Sequence, residues 1–317
     1  MANVARVLTI AGSDSGGGAG IQADLKTFTV LGTYGMSVIT AVTAQNTLGV
    51  AGVYPLSAGQ VAAQLEAVLS DIGTDAAKTG MLADASVIEV VAAAVRKYKV
   101  ENLVVDPVMV AKSGHKLLAD EAHEALKRRL VPLAAVVTPN IREAEELTGM
   151  AVRTKDDMVE AGRRLVALGC RAALVKGGHL EGDSADDVLV TASGVRWFRG
   201  PKIATQNTHG TGCTLSAAIA AGLASGLTPV AAVEQAKRFI TDAIAQAPKL
   251  GGGHGPTNHL VWLGRSVLET RETEVGTARA GEVMAGTGWA EAAKGAAGAQ
   301  EGTAGAAAGT AGRESAG

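Results

Sequence analysis

The stretch of this 317-residue sequence that could do the most chemistry is Asn207-Thr-His-Gly-Thr-Gly-Cys-Thr-Leu-Ser-Ala-Ala218, a glycine loop running into an apolar, small-residue helix. Gly210, Thr211 and Gly212 set successive backbone amides at the mouth of a helix N-terminus, where amides and helix dipole together favour an anion. The oxygens of a phosphoryl group in transfer suit such a nest. Cys213 follows on the first helical turn, where the positive end of the dipole is expected to lower a thiol pKa from its reference of about 8.5. That makes Cys213 a candidate thiolate base for a substrate hydroxyl; the alternative is a small buried hydrophobe. Cys170, at a helix end before a strand, reads as the latter.

Another glycine cluster, Gly12-Ser-Asp-Ser-Gly-Gly-Gly-Ala-Gly20, follows a strand-like run and opens a helix. Within it Gly18-Ala-Gly-Ile-Gln-Ala23 satisfies the G-x-G-x-x-A pattern of dinucleotide binding. That pattern also wants an acidic residue about 20 positions on to hold the ribose, and no Asp or Glu lies between Asp24 and Glu66. A dinucleotide-dependent oxidoreductase is therefore disfavoured. The absence of any Gly-Lys dipeptide excludes a Walker A loop. What remains is a lip of glycines that lets a substrate lie close to backbone, or a plain turn. His179 and His209 lack the paired spacing of a metal site and receive no ligand role.

The elements that must position these loops alternate along the chain. Short β-branched runs at Arg6–Ala11, Ser37–Ala44, Asn102–Asp106, Ala134–Thr138 and Ala172–Lys176 read as strands. Amphipathic stretches at Ala19–Leu31, Ala58–Ile72, Ser86–Lys99, Asp120–Arg129, Ile141–Thr148, Lys155–Leu168, Thr214–Ser225 and Val230–Gln246 read as helices. This is the pattern of helices packed on both faces of a mostly parallel sheet. Val188–Thr191 and Val195–Phe198, parted by Ala192-Ser-Gly194, read as an antiparallel edge hairpin. In such sheets ligands bind beyond the carboxyl ends of the strands. The rule selects Gly12-Ser13-Asp14, Gln45-Asn46, Asp106-Pro107, Thr138-Pro139-Asn140 and Lys176-Gly177-Gly178.

Composition narrows the partners. Basic and acidic residues number 29 and 31, a formal charge of −2 with no basic patch, which speaks against nucleic acid. No apolar run reaches the roughly 18 residues needed to span a bilayer. Two cysteines and an N-terminus that runs directly into a strand suggest a reduced, cytoplasmic setting. From Gly276 onward the chain holds 11 Gly and 15 Ala. Residues 264–317 are therefore expected to form a disordered low-complexity tail on a single domain of residues 1–263.

Taken together and in order, Gly12–Gly20, Ala44-Gln-Asn-Thr47, Lys78-Thr-Gly-Met81, Asp106-Pro-Val-Met109, Thr138-Pro-Asn-Ile-Arg-Glu143, Val175-Lys-Gly-Gly-His179 and Asn207–Cys213 resemble the hydroxymethylpyrimidine/phosphomethylpyrimidine kinases of thiamine biosynthesis, within the ribokinase-like family. The resemblance covers roughly residues 4 to 263. It implies a ribokinase-like three-layer α/β/α sandwich and an ATP- and Mg2+-dependent kinase. Such an enzyme phosphorylates 4-amino-5-hydroxymethyl-2-methylpyrimidine to its monophosphate and then to its diphosphate. A pyridoxal or pyridoxine kinase of the same fold is the near alternative, and a non-catalytic ligand-binding protein the remote one. By resemblance Gly210, Thr211 and Gly212 form the anion hole and Cys213 inherits the catalytic-base position. Asn140, Lys176 and Thr211 serve ATP; Glu143 of the N-x-x-E motif and Asp106 serve the metal. Gln45, whose amide offers both donor and acceptor to an aminopyrimidine edge, leads the substrate residues, with Gly12, Asp24 and Met81. A homodimer is the expected assembly.

Overall fold

The computed structural model describes residues 4–109, 120–178, 180, 182 and 184–263. The expected tail at 264–317 and His179 lie outside these residues. Among the described residues nine strands form one sheet, in the order β3-β2-β1-β4-β5-β6-β7-β8-β9. They are β1 Arg6–Asp14, β2 Tyr34–Gln45, β3 Val50–Pro55, β4 Ala76–Thr79, β5 Leu103–Val105, β6 Val136–Val137, β7 Ala172–Lys176, β8 Asp187–Thr191 and β9 Gly194–Phe198. Strands β2, β1, β4, β5, β6 and β7 run parallel to their neighbours, while β3, β8 and β9 pair antiparallel at the two edges.

Helices cover both faces, as the unalternating apolar strands demand. On one side pack α2 (Ala58–Asp71), α3 (Ala85–Lys97), α4 (Asp120–Ala125), α5 (Ile141–Thr148) and α6 (Lys155–Ala167). Val61, Leu65, Ile88, Val91 and Met158 enter that core. On the other lie α1 (Gly20–Val30), α7 (Thr211–Ala224) and α8 (Pro229–Ala245). There Phe28 and Phe239 are fully buried, each burial contributing roughly 1.5–3 kcal/mol. Local chemistry starts several helices where the pattern predicts: Ser57 with Gln60, Asn140 with Glu143 and Thr154 with Asp157 form capping boxes.

Two strands escape the sequence reading. In β3 the run Val-Ala-Gly-Val-Tyr-Pro carries a glycine and a proline that demote it, and it survives only as an edge strand pairing with β2. In β4 the run Ala-Ala-Lys-Thr has weak β propensity and a lysine at its centre, yet all four residues are buried. Helix α7 begins at Thr211, three residues before the expected start, so Cys213 lies inside its first turn. The stretch expected as a helix through Arg129 is α-helical only to Ala125 and continues as a π turn, Leu126–Leu130.

From β1 the chain crosses through α1 to β2 on one side and later returns to β4 on the other. The carboxyl end of β1 is therefore the topological switch point, where the loops part to open a crevice. Gly12–Gly20 occupies that place.

Candidate active site

The two glycine clusters, almost 200 residues apart in sequence, touch. Gly210 caps α7 with φ +77°, and a Cβ there would lie 1.8 Å from the carbonyl oxygen of Gly18. Only glycine meets both conditions. The helical ladder of α7 opens with Thr214 N donating to Gly210 O at 2.8 Å. The amides of Gly212 and Cys213 therefore precede the ladder and point out of the helix end. Thr211 is drawn back, its hydroxyl donating to Thr208 O at 2.7 Å.

Charged groups from neighbouring strand ends converge on this loop. Lys176 Nζ, at the end of β7, lies 3.1 Å from Asp106 Oδ1, just past β5. A Cβ on Gly212 would be 3.3 Å from Lys176 Nζ and 3.6 Å from Asp106 Oδ2, so both groups border the amide nest. Burial opposes the charge on each, yet Lys176, with Lys78 and Thr138, holds the Asp106 carboxyl below its ordinary pKa, and Asp106 and Glu143 hold Lys176 above its own. Asn140 and Glu143 are engaged locally: Asn140 Oδ1 accepts from Glu143 N at 3.0 Å and Glu143 Oε2 accepts from Asn140 N at 2.7 Å. The Asn140 side chain is thus first a helix cap. Burial pushes the Glu143 carboxyl up to about 7, Lys176 opposing and Asp106 reinforcing the shift.

Beneath the nest lies an ion pair with no exposed surface, Lys78 Nζ to Asp24 Oδ2 at 2.8 Å. The Thr9 hydroxyl donates to the same Asp24 oxygen at 2.6 Å. Asp24, expected at the substrate, is sealed off instead: its carboxylate is spent on Lys78 and Thr9. Cys213 also departs from expectation. It is half-buried, and desolvation pushes its thiol up to about 11; Lys78 and the Gly20 amide pull it down while Asp24 and Asp106 push it up. The resting group is a thiol, not the thiolate that the helix dipole alone suggests, because burial among carboxylates outweighs the dipole.

On the other flank, Gly12 carries Met81 against it, with Met81 Cε 2.4 Å from where a Cβ would be. Gln45 ends β2, half-buried, with its amide beside Thr43 and His209. His209 Nε2 lies 2.8 Å from Asp14 Oδ2, and Asp14 also accepts from the amides of Gly16, Gly18 and Ala19. Against its burial, His209 and the Ala19 and Gly16 amides hold Asp14 below the usual carboxylate value. Sequence reasoning singled out Asp14 as a strand-end residue and Lys78 within a motif, but gave neither them nor His209 a role. The signals were a lysine inside an apolar run, an aspartate at the end of β1 and a histidine abutting the anion loop; none has a spacing that announces its partner.

Residues 14–258 match the family model described as phosphomethylpyrimidine kinase. The hydroxymethylpyrimidine/phosphomethylpyrimidine kinase of Escherichia coli is 50% identical over 255 residues, covering 80% of this chain and 96% of that protein. A thiamine biosynthesis bifunctional protein of Geobacter sulfurreducens is 54% identical over 255 residues, 80% of this chain, and the match spans only 52% of that longer protein. Among solved structures, phosphomethylpyrimidine kinase from Clostridium difficile aligns with TM-score 0.69 at 48% identity, over 76% of this chain and 99% of that one. Bacillus subtilis pyridoxal kinase in an ADP complex aligns with TM-score 0.77 at 42% identity, over 82% and 98%. The family model over residues 14–258 and the 50% identity to the Escherichia coli enzyme over 80% of this chain show that the chain is a kinase that belongs to the phosphomethylpyrimidine kinase family.

Proposed function

We propose that this kinase transfers the γ-phosphoryl group of ATP to the hydroxymethyl group of 4-amino-5-hydroxymethyl-2-methylpyrimidine, and then phosphorylates the monophosphate it has made. The observation that carries the reading is the contact between the Gly12–Gly20 lip and the Gly210–Cys213 loop, which supports an organic-ring subsite beside a phosphoryl subsite. Phosphoryl transfer asks mainly for positioning and charge neutralisation. In this reading the Gly212 and Cys213 amides hold the transferred oxygens, Lys176 neutralises them, and Gly12, Met81 and Gln45 seat the ring.

The donor set fits magnesium. Among the described residues no three His, Cys, Asp or Glu side chains form a metal cage. Asp106 and Glu143 offer the one or two carboxylates with which Mg2+, keeping most of its water, is ordinarily held beside phosphates. A bound ion would neutralise charge between nucleotide phosphates and these carboxylates. With its thiol protonated at rest, Cys213 becomes a base when positive charge gathers beside it; Lys78 already supplies part. The substrate hydroxyl loses its proton late in a loose transition state, which lessens what is asked of the thiol.

Mass detection of products formed from the aminopyrimidine and ATP tests the reading, with mono- and diphosphorylated species expected in sequence. Higher initial rates with pyridoxine at matched concentration would favour the pyridoxine kinase reading, which the likeness to the Bacillus subtilis pyridoxal kinase keeps open.

A further inference from the structure

Around Gln45 the hydrogen-bond partners favour one orientation of the side-chain amide. Asp14 accepts from three backbone amides at 2.8 to 3.0 Å and is a carboxylate, an acceptor only. The His209 nitrogen 2.8 Å from Asp14 Oδ2 therefore carries a proton and donates. That same Nε2 stands 3.4 Å from the Gln45 amide nitrogen, which sets two donors face to face. On the amide's other side, Gln45 Oε1 lies 3.2 Å from the Thr43 hydroxyl. The single proton of that hydroxyl is already given to Ser13 O at 2.7 Å, so two acceptors also face each other. Turning the amide by 180° relieves both conflicts: Oε1 at 3.4 Å takes a share of the one His209 N–H, whose main acceptor is Asp14, and the amide nitrogen donates to the Thr43 oxygen. Amide oxygen and nitrogen have the same shape, and the surrounding donors decide between them.

The ring that makes this decision is itself fixed. A Cβ on Gly18 would lie 2.6 Å from His209 Cδ2, so the ring rests directly on the first glycine cluster. The His209 amide donates to Gly255 O at 3.0 Å, and His209 pairs as an isolated parallel bridge with Pro256.

We propose that His209, seconded by Thr43, is a specificity-determining positioning residue: it locks the Gln45 amide in one orientation, with its remaining N–H and lone pair in set places. A freely turning amide serves either a donor or an acceptor and so discriminates poorly; a locked one rejects a ring whose polar edge is reversed. An aminopyrimidine presents an amino donor next to a ring-nitrogen acceptor, whereas a pyridine bearing a phenolic hydroxyl presents a different edge. The assignment rests on the ring-substrate reading given under Proposed function.

The test compares kcat/KM for the aminopyrimidine and for pyridoxine in the wild type, His209→Leu, His209→Gln and Thr43→Val, each checked for native far-UV circular dichroism. His209→Leu should shrink the ratio between the two substrates about tenfold, through KM for the ring substrate and not for ATP. Thr43→Val should move the ratio the same way. His209→Gln, which can still donate to both Asp14 and Gln45, should restore most of it. Equal losses on both substrates, or His209→Gln behaving as His209→Leu, would overturn the proposal, since a purely structural role moves both alike. Wild-type preference for one ring decides the earlier reading separately; the change in ratio on substitution decides this one.

Discussion

Replacing Lys78 by methionine tests how the site floor is held. Lys78 and Asp24 each have no exposed side-chain surface and meet at 2.8 Å. Removing the ammonium leaves the Asp24 carboxylate buried with the Thr9 hydroxyl, at 2.6 Å, as its remaining close donor. Breaking a buried pair from one side typically costs about 3–5 kcal/mol. With roughly 2–4 °C of Tm per kcal/mol for a domain of this size, Lys78→Met should melt about 6–20 °C below wild type. Adding Asp24→Asn should recover most of that loss, because the amide oxygen keeps an acceptor for Thr9 while the stranded charge disappears. The pH dependence has a definite sign. Burial already raises the Asp24 pKa and Lys78 opposes the rise, so without Lys78 the folded-state value climbs further above the unfolded one. A carboxyl with a raised folded pKa is destabilising when ionised and relieved as pH falls through that value. The gap between Lys78→Met and wild type should therefore narrow from pH 7 to pH 5 in urea titrations. A loss below about 1 kcal/mol, or a double variant no more stable than the single one, would refute the reasoning.

Two further expectations concern the anion loop. Because the Cys213 thiol is pushed up to about 11, iodoacetamide alkylation of the unliganded protein should accelerate about tenfold per pH unit from pH 7 to 10, following the thiolate fraction; Cys170, buried and pushed up to about 12, should not compete. A rate already level by pH 8 would contradict the assigned thiol state. Gly210→Ala forces a side chain to φ +77° and within 1.8 Å of Gly18 O, displacing the loop amides, and kcat should fall about 100-fold, as when a transition-state donor is lost. Unimpaired turnover in steady-state assays would show that the loop does not hold the transferred group.

Much of the architecture was legible because it depends on patterns local in sequence. Unalternating runs such as Leu103-Val-Val105 mark strands covered on both faces, Asn140 and Glu143 mark a helix start, and the glycine loops mark the places where backbone must be approached. Strand β4 was not legible, since Lys78 looks like a surface residue until Asp24, 54 positions earlier, is brought against it. The expected thiolate at Cys213 failed for the same reason: a dipole is local to its helix, whereas desolvation and the charges of Asp24 and Asp106 come from other strands and helices.

The sequence by itself determined the layered α/β plan, the two glycine loops and the residue types able to handle a phosphoryl group, because period, capping and turn chemistry act over a few residues. Tertiary structure alone decided which loop touches which, that the Asp24 carboxylate is sealed against Lys78 and Thr9, and that His209 stands between Asp14 and Gln45. Those are matters of distance and dielectric between segments far apart in the chain, and they exist only once the sheet has brought the strand ends to one rim.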